Sequence, residues 1–112
     1  MNIVPYIKVH SSINIFSEAE LDSIFDVKNG LIIDIRSKNI LSTQSIKNSI
    51  HLDLMSEHFV EFFADIVKDK PLLIYCQDGS RSRIAIRLLL ELDYTNLYTL
   101  KNGINQWHKV AT

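Results

Sequence analysis

The sequence predicts an α/β fold built on a parallel sheet. Two runs, Leu31-Ile32-Ile33-Asp34-Ile35 and Leu72-Leu73-Ile74-Tyr75, are almost unbroken in apolar residues, as strands covered on both faces are. Segments with apolar residues at helical spacing alternate with them along the chain, the arrangement that gives a sheet flanked by helices. The 112 residues, 46% hydrophobic and 22% charged, suffice for one core and argue against a second.

Residues 1–12 carry only weak alternation around Tyr6-Ile7-Lys8-Val9 and read as an N-terminal arm or short strand, with a single domain over 13–112. Ile13-Asn14-Ile15-Phe16 reads as a first strand. Ser17-Glu18-Ala19-Glu20 then forms a capping box, with Phe16 and Leu21 as its hydrophobic staple. The helix it opens carries Leu21, Ile24 and Phe25 and is expected to stop at Asn29-Gly30. The strand from Leu31 follows, its one charge, Asp34, lying at the carboxyl end. Open α/β sheets place their sites at that end, so Asp34 and Arg36 are candidates to sit beside whatever follows the Leu72 strand.

Residues 37–48 predict a helical turn leading to a strand near Ser49-Ile50-His51-Leu52. Ser56 is placed to cap a helix whose Phe59, Val60, Phe62, Phe63, Ile66 and Val67 form one broad apolar face, ended by Lys68-Asp69-Lys70-Pro71. Each phenylalanine packed on the sheet would contribute roughly 1.5–3 kcal/mol. After the Leu72 strand a helix is expected to bury Ile84, Ala85, Leu88, Leu89 and Leu92 while Arg83, Arg87 and Glu91 stay wet. Asp93-Tyr94-Thr95-Asn96 turns into a last strand, Leu97-Tyr98-Thr99-Leu100, and Ile104 and Trp107 stand at the spacing of a short closing helix.

Between the Leu72 strand and the following helix lies Cys76-Gln77-Asp78-Gly79-Ser80-Arg81-Ser82-Arg83, with the only cysteine of the chain. The first turn of a helix leaves backbone N–H groups without intrahelical partners and carries the positive end of its dipole. A thiol there, near Arg81 and Arg83, is favoured as thiolate, the nucleophilic form. Gly79 permits a positive φ and a close approach of amides to sulfur, giving an anion-binding cup. A cysteine wanted for packing alone would need neither the glycine nor the arginines.

Cys-x-x-Gly-x-Arg-Ser after an apolar strand resembles the active-site loop of single-domain rhodaneses, enzymes that carry sulfur as a cysteine persulfide. Asp34-Ile35-Arg36 matches the Asp-x-Arg of that family, where these residues support the active-site region without being nucleophiles. Asn102-Gly103 and Trp107 match its closing turn. The likeness spans residues 13–109. Gln44-Ser45-Ile46-Lys47-Asn48-Ser49 departs from the Gly-His-Ile-x-Gly-Ala common in the family, and no acidic residue lies between Arg36 and Ile40 to pair with Arg36.

The resemblance implies a central parallel sheet of about five strands with helices on both faces. It also implies a sulfurtransferase acting through a persulfide on Cys76, with thiosulfate as the type of donor and cyanide or a thiol, including a protein thiol, as acceptor. Gln77, Asp78, Gly79, Ser80, Arg81 and Ser82 would bind the persulfide and the anionic donor, and Asp34, Arg36 and Arg83 would support them. No cofactor is implied. The alternative is a rhodanese-like binding module or persulfide carrier, although an unreactive module usually lacks the cysteine. Cysteine phosphatases and arsenate reductases need His before the cysteine and Arg after five intervening residues; Tyr75 and Ser82 occupy those positions.

Other classes are disfavoured by composition. A net charge of −1 gives no basic footprint for nucleic acid, and no apolar stretch is long enough to span a membrane. His10, His51, His58 and His108 lack metal-ligand spacing, and there is no Cys-x-x-Cys pair or phosphate loop. The single cysteine and an N-terminus without a signal-peptide pattern lead to the expectation of a reducing, cytoplasmic setting.

Overall fold

A computed structural model describes residues 18–38, 44–100 and 102–106. Strands β1 (Leu31–Asp34), β2 (Ile50–His51), β3 (Leu72–Tyr75) and β4 (Leu97–Thr99) form one all-parallel sheet in the order β2-β1-β3-β4. About five strands were expected and the described residues contain four. The strand expected at 13–16 lies outside them, as do the arm 1–12, the cap Ser17 and Trp107. No helix among the described residues is long and apolar enough to cross a membrane.

Both faces of the sheet are covered, which is why β1 and β3 lack polar alternation. Alternate residues of the two strands point to opposite sides. On one side Ile33, Ile35, Leu72 and Ile74 pack with α2 (Phe59–Phe63) and α3 (Ser80–Glu91) through Phe59, Phe63, Ala85, Ile86 and Leu89. On the other, Ile32, Leu73 and Tyr75 pack with Leu21 and Phe25 from α1 (Glu18–Ile24) and its end, and with Leu100 and Ile104.

Three helical expectations need correction. α1 ends at Ile24, short of Asn29-Gly30, because the Asp26 carboxylate takes the Asn29 N–H (3.2 Å) and Nδ2 (2.8 Å) and forms a turn there. Gly30 is needed for space: a Cβ would stand 2.5 Å from Phe25 Cζ and 2.8 Å from the Pro71 carbonyl oxygen. α2 spans only five residues, Ser56 Oγ accepts from the His58 N–H ahead of the helix, and turns follow from Ala64. One short helix presents one narrow face, so Phe59 and Phe63 are buried while Val60 and Val67 are exposed.

In α3 the expected core residue Ile84 is 61% exposed and Ile86 is buried in its place. The reason is the helix's starting phase. Ser82 is held at the Cys76 loop, so the inward stripe is Ser82, Ala85, Ile86 and Leu89, and Ile84 falls on the far side. Arg83, Arg87 and Glu91 are exposed. The helix closes with Asp93 at φ 74°, where Tyr94 N–H reaches Leu89 O and Asp93 N–H reaches Leu90 O. Last comes a 3-10 turn, Gly103–Gln106, at the position of the expected closing helix.

Candidate active site

The sheet order creates the site. From β1 the chain goes to β2 on one side, and from β3 to β4 on the other, so the carboxyl ends of β1 and β3 flank the crevice at which the winding reverses. The register pairs Asp34 with Tyr75 across that boundary. Arg36 and Cys76 therefore leave adjacent strand ends together.

Cys76 Sγ receives the backbone N–H of Gly79 at 3.1 Å and that of Ser82 at 3.3 Å. Gly79 makes this geometry with φ 96°, and Ser82 Oγ donates to the Gly79 carbonyl at 3.0 Å, tying the loop to the first turn of α3. Donors aimed at sulfur stabilise negative charge on it. The Ser80 N–H is directed elsewhere: it and Ser80 Oγ both donate to Asp78 Oδ1, at 2.9 and 2.7 Å. These bonds, the backbone one foremost, hold the Asp78 carboxyl below its ordinary range, with the charge of Arg83 adding to them.

Cys76 is only 2% exposed, yet it lines a cavity of about 310 Å³ together with Arg36, Ser37, Gln77, Asp78, Ser80 and Arg81. Arg83 is exposed and does not line it. A second cavity, about 200 Å³, lies between α1 and residues 46–48 and contains none of the expected site residues.

Asp34 and Arg36 form a buried pair. Arg36 Nη2 lies 2.8 Å from Asp34 Oδ2 and Nε lies 3.0 Å from Oδ1, with side-chain exposures of 1% and 2%. The carboxylate two residues upstream thus takes the place of the acidic partner missing after Arg36. Burial works against the guanidinium charge, but the hydrogen bonds and attraction of Asp34 outweigh it and raise the arginine's pKa. Arg36 also donates to Gln44 O at 2.6 Å and to Gln77 Oε1 at 3.1 Å, so it braces both the divergent segment 44–49 and the cysteine loop.

Tyr75 Oη donates to Asp34 Oδ2 at 3.0 Å and accepts the Ile46 N–H at 3.1 Å, on the face of the sheet away from α3. Its pKa is pushed up to about 12, first by burial and also by Asp34, against the hydrogen bonds of Ser49 and Ile46. A phenol whose folded value exceeds its unfolded value contributes stability in full below the ordinary value of 10.0, and that stability is lost as pH rises toward 12. The expected loss is about 2–3 kcal/mol. Denaturant unfolding of the native protein and Tyr75→Phe between about pH 9 and about pH 12 checks it; equal slopes for the two proteins would refute it.

The 3-10 turn closes behind the loop. Ile104 N–H donates to Cys76 O at 2.9 Å and Asn105 N–H to Gln77 O at 3.0 Å, while Gln77 Nε2 donates to Asn105 Oδ1 at 2.6 Å. Gly103, at φ 71°, has no room for a Cβ, which would stand 2.5 Å from Gln77 O and 2.7 Å from Asp78 N. Gly103→Ala is expected to cost about 1–3 kcal/mol from its backbone conformation and to slow chemistry at Cys76 by pushing the loop. Unfolding curves and single-turnover rates measure the two effects, and a variant unchanged in both would show that the turn does not set the loop. Neither Gln77's clamp between Arg36 and Asn105 nor Tyr75's bond to Asp34 carries a local sequence signal, since each joins residues distant in the chain.

A buried thiol facing a cavity and receiving two main-chain amides, on a doubly wound parallel sheet, defines a thiol-centred α/β fold. A sequence model of the rhodanese-like domain matches residues 17–110, and the chain belongs to that family. Among its relatives is a thiosulfate sulfurtransferase GlpE of Pseudomonas savastanoi pv. phaseolicola, 26% identical over 71% of this chain and 74% of its own. A sulfurtransferase of Allochromatium vinosum is 29% identical over 81% and 83%. The crystal structure of a rhodanese-related protein from Thermoplasma volcanium superposes with TM-score 0.65 at 25% identity, covering 87% of this chain and 92% of that one.

Proposed function

We propose that this protein is a sulfurtransferase that moves a sulfane sulfur from a small anionic donor such as thiosulfate to a thiophilic acceptor, cyanide or a thiol, through a persulfide on Cys76. The observation that carries this reading is the pair of amides, from Gly79 and Ser82, directed at a sulfur that faces a cavity. In the first half-reaction the Cys76 thiolate attacks the outer sulfur of thiosulfate. A Cys76 S–S bond forms, the donor S–S bond breaks, and sulfite leaves with the electron pair. In the second, cyanide or a thiolate attacks the terminal sulfur and the Cys76 thiolate departs with its electrons. No net redox change and no cofactor is required.

Each residue has a part. The Gly79 and Ser82 amides stabilise charge on Cys76 as thiolate and as leaving group. Arg81, exposed at the cavity, draws in the donor and balances the departing sulfite. Arg36, held by Asp34, fixes the loop through Gln77 and is a positioning residue. Ser82, 1% exposed, fills the position where a phosphatase loop carries its arginine, and Tyr75 points to the opposite face, so the sulfur reading is favoured over phosphoryl transfer. A single cysteine suits a reducing cytoplasm.

Intact-mass measurement is the test. Protein incubated with thiosulfate is expected to gain one sulfur atom, then lose it to cyanide with release of thiocyanate. A gain only from a persulfidated protein would make the chain a carrier. No gain from any donor would leave a binding module and end the enzymatic reading.

A further inference from the structure

We propose that Asp78 sets the charge of the donor, its carboxylate favouring singly charged sulfane-sulfur donors of the thiosulfonate type over doubly charged thiosulfate. The inference rests on the sulfurtransferase reading and concerns the substrate class of the same site. Among the described residues, the charged side chains lining the cavity are Arg36, Asp78 and Arg81. The Arg36 charge is matched at close range by Asp34, whose two oxygens take its Nε and Nη2. Among the described residues an incoming donor therefore meets one further cation, Arg81, and one carboxylate, Asp78, both exposed. Arg83 lies near enough to act on Asp78 but does not line the cavity. For a loop expected to bind anions, a carboxylate beside the nucleophile is a liability unless it discriminates.

Coulomb repulsion scales with the donor's charge, so a dianion meets twice the penalty of a monoanion in the same position. If removing the carboxylate raises the rate with a monoanion about three-fold, it raises the rate with a dianion about ten-fold at low ionic strength. Any effect of Asp78 on Cys76 itself is common to both donors and cancels in their ratio. Asp78→Asn keeps the side-chain oxygen that holds Ser80 and removes only the charge.

The experiment compares kcat/KM for methanethiosulfonate and for thiosulfate. They share an outer sulfur, attacked identically by the thiolate, and differ in charge and in whether a sulfinate or sulfite leaves. In Asp78→Asn the ratio of methanethiosulfonate to thiosulfate efficiency is expected to fall about three-fold, and the change to shrink in high salt. Asp78→Ser, which also offers a neutral oxygen, gives the same comparison should the first variant misfold; Asp78→Glu, keeping the charge, is expected to stay near the native ratio. A ratio unchanged in the neutral variants, with persulfide still formed, overturns this inference alone. No persulfide from either donor in the native protein overturns it together with the sulfurtransferase reading.

Discussion

Cys76→Ser is expected to abolish both the gain of sulfur from thiosulfate and the release of thiocyanate. Serine has nearly the volume of cysteine, and its oxygen inherits the Gly79 and Ser82 amides, so the cup and the cavity persist. What disappears is the chemistry. A hydroxyl at neutral pH is a far weaker nucleophile than a thiolate unless a base activates it, and oxygen cannot carry sulfur as a persulfide. Removing a nucleophile elsewhere has cost on the order of 10⁶-fold in turnover, so a loss greater than about 10³-fold is a conservative expectation. The variant should melt within about 1 kcal/mol of the native protein, the usual scale for a substitution that leaves no cavity. Sulfur gained by the folded serine variant would relocate the acceptor atom and remove the role given to Cys76.

Much of the scaffold was readable because it depends on burial. Leu31–Asp34 and Leu72–Tyr75 run apolar since both faces are covered, and the loop after the second strand announces itself through Cys76, Gly79 and the helix start. Gly79's positive φ follows from the turn the chain makes there. Other features depend on phase or on contacts across the chain. Ile84 and Ile86 are equally apolar, and only the anchoring of Ser82 decides which faces inward. The six apolar residues between Phe59 and Val67 suggest a longer helix than the turns after Ala64 allow. The Asp34 and Arg36 side chains are neighbours by sequence, yet their burial comes from Gln44, Gln77 and Tyr75, which reach them from distant segments. The Ser80 amide, expected in the cup, is captured by a carboxylate two residues away, and such local competition is hard to weigh without coordinates.

Asp34→Ala is expected to be the most destabilising of these substitutions. It removes the carboxylate that pairs with the Arg36 guanidinium, which is 1% exposed. Breaking a buried pair from one side costs about 3–5 kcal/mol, because the remaining ion keeps its desolvation penalty and loses its attraction. Tyr75 loses an acceptor as well, adding to the cost. Against a domain stability of about 5–15 kcal/mol the variant would be marginal, with its midpoint lowered by roughly 10–20 °C. Asp34→Ala combined with Arg36→Leu removes both charges and is expected to regain part of the loss, since a paired apolar replacement leaves no ion stranded. The double variant should stay slow in sulfur transfer, because Gln77 then lacks the Arg36 Nη1 donor that positions the loop. Thermal unfolding of the four proteins in the cycle, with single-turnover rates, separates the two roles. A single variant that loses less than about 1 kcal/mol would mean that the guanidinium reaches solvent or another acceptor when Asp34 is gone, and the pair would then serve geometry without carrying the fold.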